Sequence, residues 1–381
     1  MRAVGILLVT AFAVPAFASP LPQLQVDPSP PRTLQQKPAF AAPVPHFQVD
    51  PSWPRRLPHN WIMGQAAGVA VDKRDHVWVI QRPGSLTDDE KAASLDPPAA
   101  KCCVPAPPVM EFDQHGNLIQ AWGGPGKGYD WPQREHGITI DDQGFVWIGG
   151  NGPRDGQYLK FTRDGKFIMQ IGKAGELTNS QDTSRLGQPA DAEVDAEANE
   201  VYIADGYANH RVIVFDASTG AYRRQWGAYG KKPTDEKLDS YDPVSPQFSN
   251  PVHCVKIAKD GLVYVCDRRN NRIQVFRKDG TFVKEFVLEK DTRAAGSVWA
   301  LEFWIDPAQT FMIVADGTNN EVRTLVRESG TIVGAFGHAG RNAGQFHWVH
   351  DIALDSKGNI YAAEVDTGKR AQKFVRMAPG R

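Results

Sequence analysis

Six phrases of one kind recur along this 381-residue chain: VMEFDQHGNLIQAWG, YLKFTRDGKFIMQIG, VIVFDASTGAYRRQWG, IQVFRKDGTFVKEFV, VRTLVRESGTIVGAFG and a shortened AQKFVRMAPGR. Each reads as a strand, a polar turn and a second strand. Their anchors are Phe112, Phe161, Phe215, Phe276, Leu325 and Phe374, spaced 49, 54, 61, 49 and 49 residues apart. The turns hold H-G, D-G and S-G pairs, which tolerate the positive φ that tight hairpins require. A period near fifty built of short strands predicts a β-propeller, and six anchors predict six blades. No segment carries sustained helical periodicity, so the expected fold is all-β.

DGYANHRVIVF, DRRNNRIQVF and DGTNNEVRTL lie at equivalent points of three repeats. They resemble the mid-blade phrase of the NHL-repeat family, over most of residues 60–378. Before the repeats, MRAVGILLVTAFAVPAFAS has a positive start, an apolar run and a small-residue cleavage site after Ala18. That predicts a signal peptide at 1–18, with an uncleaved anchor as the alternative. A Pro/Ala-rich leader is expected at 19–46 and the propeller at 47–381. The mature chain is then secreted or periplasmic and, by expectation, monomeric. A formal net charge of -1 argues against a nucleic-acid footprint and gives no reason to expect a membrane surface. The four cysteines show no CxxC zinc pattern. Cys102 and Cys103 are adjacent in an insertion from Ser85 to Pro108, and Cys254 and Cys266 could oxidise after export.

The innermost strand of each blade opens near the axis. The opening phrases are AGVAVD, HGITID, ADAEVD, HCVKIA, the less regular SVWALEFWID, and HDIALD. The leading position therefore holds Ala67, His136, Ala190, His253, an apolar residue near Ala300, and His350. Histidine falls in blades two, four and six, about 120° apart on a six-fold ring. Three imidazoles at one register in alternate blades predict a His₃ metal site with an open position. The blander alternative is three unrelated histidines that merely cap strands. His210 and His347 are expected to line the pocket at most.

The turns at the same end place Arg82, Tyr207 and Arg268 near that site. A tyrosine between cations can lose its proton and then act as a base, and an arginine can fork onto a substrate carboxylate. Singly, Tyr207 could instead be a solvated turn residue and Arg268 an inter-blade ion pair. With these residues assembled, the chain resembles the peptidyl-α-hydroxyglycine α-amidating lyases. EHGITID, VHCVKIA and VHDIALD match that family's three zinc-histidine frames, DGYANHR its tyrosine frame, and VIQR and CDRRNNR its two arginine frames. Valines 252 and 349 stand where the family has proline before the second and third histidines. The family's paired cysteines are replaced, with Ala208 after Tyr207 and with Tyr264 and Val275 at the second pair.

The resemblance implies zinc on His136, His253 and His350. It also implies a structural calcium on Asp351 and the backbone carbonyls of Val69 and Ile138. The implied reaction cleaves the N–C bond of a carbinolamide, R–CO–NH–CH(OH)–COO⁻, to an amide and glyoxylate. Tyr207 would be the base, Arg82 would stabilise the tyrosinate, and Arg268 would position a small-molecule or peptide-derived substrate. Two alternatives stay open: a metal-dependent lactone or ester hydrolase on the same site, and a non-catalytic binding propeller.

Overall fold

The structure is a computed structural model that describes residues 42–236 and 242–378. The expected signal peptide and nearly all of the leader lie outside the described residues. Among those residues no helix is long and apolar enough to cross a membrane.

Six four-stranded antiparallel sheets follow one another along the chain. Their innermost strands are Gln65–Val71, Glu135–Ile140, Asp191–Asp195, Val252–Ile257, Ala300–Phe303 and Val349–Leu354. Each touches the next, and the sixth touches the first, so the sheets close into a ring. This is the expected six-bladed β-propeller. The anchors Phe112, Phe161, Phe215, Phe276, Leu325 and Phe374 all fall on third strands.

The shortened sixth phrase has a structural explanation. Blade six takes its outermost strand from the start of the fold. Phe47–Asp50 pairs antiparallel with Arg370–Arg376, Phe47 opposite Arg376 and Asp50 opposite Lys373. Both ends of the ring are thereby sewn into one sheet, which removes two open edges. Phe47 also stacks near Phe336 of blade five, with ring centroids 5.0 Å apart.

The core lies between blades. Middle strands such as Gln157–Phe161, Arg211–Asp216 and Arg272–Phe276 are buried at every residue, because a neighbouring blade covers each face. One wedge joins Trp78, Ile80 and Val109 of blade one to Ile138, Val146 and Ile148 of blade two. Outer strands have one wet face, which leaves Ile119, Ile168, Val283 and Ile332 exposed.

The Asp…Asn-x-Arg phrase, with three residues between Asp and Asn in blade three and two in blade four, has a job that explains its residue types. In blade three, Asp205 Oδ2 accepts from Asn209 Nδ2 at 2.7 Å and Arg211 Nε at 2.8 Å, while Oδ1 accepts from Gly187 N at 2.6 Å. In blade four, Asp267 does the same with Asn270, Arg272 and Ser249 N. A fully buried ion pair thus pins the incoming inter-blade loop to the end of the second strand, with the remaining donors satisfied by loop carbonyls. Removing one partner strands the other charge. Arg211→Ala is expected to lower unfolding free energy by about 3–5 kcal/mol. Truncating the exposed Lys73, paired to Asp142 at the surface, should cost under about 1 kcal/mol. Denaturant titration of both variants checks this, and equal losses would show that the buried pair has no special weight.

Candidate metal centre

The three histidines begin the inner strands of alternate blades and meet on the axis. Their ring centroids lie 4.6–5.0 Å apart, and one ligand nitrogen from each falls within 4.8 Å of the other two. All three are buried. Each ring is held by the blade that follows it. His136 Nδ1 donates to Ala190 O at 2.7 Å, His350 Nδ1 to Ala67 O at 2.6 Å, and His253 Nδ1 to Trp299 O. A carbonyl can only accept, so Nδ1 carries the proton and Nε2 offers its lone pair inward. The three acceptors also fix the register of the histidine-free blades. In blade five the leading residue is Trp299, within the Ala300 neighbourhood that the sequence suggested.

Tyr207 stands over this cluster. Its hydroxyl lies 2.9 Å from His136 Nε2 and 3.1 Å from His253 Nε2. The turn that carries it packs tightly on the strand of His253: a Cβ on Gly206 would lie 2.1 Å from Val252 O, so only glycine fits there. Asn250 Nδ2 donates to Tyr207 O at 2.8 Å and holds the turn from the other side. Arg268 NH1 donates to the Tyr207 hydroxyl at 3.1 Å, and its Nε donates to Ala295 O at 2.9 Å. The Arg268 guanidinium also lies 4.2 Å from the Trp299 ring centroid, a cation–π platform that the sequence reading missed. Only the position of Trp299, beside a histidine register, could have pointed to it.

Arg82 is anchored differently. Its Nε donates to Glu135 O at 2.7 Å and NH1 to Gln65 Oε1 at 2.8 Å. Burial lowers its pKa to about 10, against an opposing pull from Tyr207. Of the two arginines, then, Arg268 is the hydrogen-bond partner of the phenol, and Arg82 acts on it through the field. The seven remaining histidines stay outside the cluster. His210 Nδ1 donates to Phe248 O, and His347 pairs with Asp366.

Burial is the main cause that holds all three imidazoles well below the ordinary histidine pKa. For His136 the other two rings add to it, and for His253 and His350 the nearby arginines do. Three neutral rings with inward lone pairs form a donor set suited to a borderline cation such as zinc. A second cluster, Asp72, His76 and Glu111, is also close enough for a metal. There Arg163 supplies the positive charge, contacting Asp72 Oδ2 at 2.5 Å and also Glu111 and His76, so that cluster is a latch from blade two to blade one.

One turn deeper, the channel is acidic. Asp191, Glu193, Glu302 and Asp351 surround Lys256, whose ammonium lies 2.8 Å from Glu302 and 3.9 Å from Glu193. Burial, partly offset by Lys256, raises the pKa of Glu193, and burial and Asp191 raise that of Asp351. Asp351 Oδ2 accepts from Val69 N at 2.9 Å and Oδ1 from Ile352 N at 2.9 Å. The structure therefore brings Asp351 against Val69, and Ile138 has the same register one blade on. Four carboxylates against one ammonium suit a hard cation by charge. Directly behind His253, Cys254 is disulfide-bonded to Cys266 across the first two strands of blade four, and Cys102 is bonded to Cys103.

The neutral imidazoles give the metal-free chain a pH dependence with a definite sign. Unfolded, each histidine protonates below about pH 6.5, whereas folded it resists; the unfolded state then binds more protons, and stability falls as pH drops. Chelator-treated protein should lose up to about 1.4 kcal/mol per pH unit for each imidazole between pH 6.5 and 5. A variant with glutamine at 136, 253 and 350 should show a flatter profile in denaturation midpoints. Equal slopes would mean that the rings are not buried neutral.

The NHL repeat family model matches residues 252–276. Peptidylglycine alpha-amidating monooxygenase of Rattus norvegicus is 25% identical over 315 residues, covering 80% of this chain but 30% of the relative. Peptidyl-alpha-hydroxyglycine alpha-amidating lyase 1 of Drosophila melanogaster is 27% identical over 270 residues, 65% of this chain and 46% of the relative. The chain thus spans less than half the length of either relative. A streptogramin B lyase structure superposes with a TM-score of 0.52 at 11% identity, covering 87% of this chain and 98% of that one, a likeness of fold. The chain is a six-bladed β-propeller in which one segment matches the NHL repeat, and it resembles, at distant identity, the peptidyl-α-hydroxyglycine α-amidating lyases.

Proposed function

We propose that this protein is a zinc-dependent carbon–nitrogen lyase that cleaves R–CO–NH–CH(OH)–COO⁻ to R–CO–NH₂ and glyoxylate. The observation that carries the reading is the phenol of Tyr207, within hydrogen-bond distance of two inward Nε2 atoms and of Arg268. His136, His253 and His350 would hold the zinc. When bound, zinc supplies a Lewis acid that makes an adjoining hydroxyl more acidic.

The chain's own groups account for the proton movements. Tyr207, whose oxygen accepts from Arg268, is the base that takes the proton from the substrate's α-hydroxyl. The electron pair freed from the O–H bond forms the new C=O as the C–N pair moves to the amide nitrogen. Tyr207 returns the same proton to that nitrogen, so the balance closes with no outside reagent. Arg268, stacked on Trp299, also lies where it can meet the carboxylate of the leaving glyoxylate.

Glyoxylate release from α-hydroxyhippurate, measured beside metal content, tests the reading. The wild type should bind about one zinc per chain, and His253→Ala should lose most of it. Tyr207→Phe should keep its zinc and lose about 10²–10⁴-fold in kcat. Retained lactone hydrolysis in Tyr207→Phe would favour the hydrolase reading, and absence of stoichiometric zinc in the wild type would favour a binding propeller.

In the acidic channel we propose a structural calcium on Asp351, with the carbonyls of Val69 and Ile138. Calcium should raise the melting temperature of the wild type and not of Asp351→Asn. A calcium shift that survives the substitution moves the ion elsewhere. The leading segment and the two disulfides support export to the periplasm or beyond, as a monomer acting on a small-molecule or peptide-derived substrate.

A further inference from the structure

Beside the metal centre, between blades one and two, lies a cavity of about 450 Å³, within the range of small-molecule sites. Arg82 lies on its wall and donates through Nε to the carbonyl of Glu135 at 2.7 Å. Glu135, also on the wall, immediately precedes His136. The reacting carbon must lie by Tyr207, so the carboxylate on that carbon stays with it. Only the far end of a substrate reaches past Arg82.

The lining has a chemical character. Arg134 is fixed by Asn151: its Nε donates to Asn151 Oδ1 at 2.8 Å and its NH2 to Asn151 O at 2.8 Å. Those bonds leave NH1 with no hydrogen-bond partner among the described residues. Arg82 likewise spends Nε and NH1 and keeps NH2. The one acid on the wall, Glu135, has an oxygen held by Trp131 Nε1 at 2.9 Å. Trp131, Pro83 and Pro125 add flat apolar surface. Two pre-positioned guanidinia with unspent donors, set among rings, match an anion carried on a planar apolar body.

We propose that this cavity is the acyl subsite, and that it selects R groups with a flat apolar body ending in a carboxylate. The proposal rests on the lyase reading for what R is, but the binding preference stands apart from turnover. Arg134 is a specificity-determining residue in this scheme, and Arg82 serves both the subsite and the phenol.

The test compares hippurate with 4-carboxyhippurate, neither of which can react because both lack the α-hydroxyl. Calorimetric titration into the zinc-loaded full chain should show 4-carboxyhippurate binding at least about 10-fold more tightly, the scale of one charged hydrogen-bonded contact. Arg134→Gln should bring the ratio near one, Arg134→Lys should keep part of it, and Arg134→Glu should invert it. The same ratios are then read in kcat/KM with α-hydroxyhippurate and its 4-carboxy derivative. Equal binding of the two ligands by wild type, or a preference that survives Arg134→Gln, overturns the subsite. Discrimination without any turnover keeps the subsite and sinks the lyase, whereas turnover without discrimination does the reverse.

Discussion

The centre depends on three hydrogen bonds that each cross from one blade to the next. His136 leans on a carbonyl of blade three, His253 on blade five and His350 on blade one. No blade can orient its own histidine. The inward direction of every Nε2 exists only when the following blade is docked at the right register, and the last of these bonds needs the ring closed. Closure in turn comes from Phe47–Asp50 entering blade six. The candidate site is therefore a property of the whole ring, and loosening the interface between blades two and three, four and five, or six and one loosens the histidine held across it.

Charge is divided along the axis. At the mouth, Arg82 and Arg268 stand beside imidazoles that burial keeps neutral, and Arg268 donates to the phenol of Tyr207. Below them Asp191, Glu193, Glu302 and Asp351 gather round Lys256. A borderline nitrogen set and a hard oxygen set are thus stacked a few residues apart on the same inner strands, as His350 and Asp351 illustrate by adjacency. The two sets suit different cations because imidazole nitrogen and carboxylate oxygen differ in hardness.

Much of this was legible in the chain. The repeat of about fifty residues carries the propeller, since hairpin turns and aromatic anchors are local signals. The alternate histidines were legible for the same reason: a repeat gives each residue a register, and register on a ring is an angle. The Asp…Asn-x-Arg phrase signals a blade, whereas its physical role as a buried tie for the incoming loop is a tertiary contact. The leading residue of blade five was legible only as an apolar residue near Ala300, because that phrase has no clear alternation, and the bond from His253 identifies it as Trp299.

What the sequence by itself determined is the number of blades, the three imidazoles and the residues flanking them, all encoded in spacing. What only the tertiary structure decided is which neighbour each of them meets. That Arg268 reaches the phenol, that Arg163 fills the Asp72–His76–Glu111 cluster, and that Arg82 and Arg134 wall one cavity all bring together residues 52 to 91 positions apart. Side-chain reach and blade docking fix such contacts, and neither has a local signature in the chain.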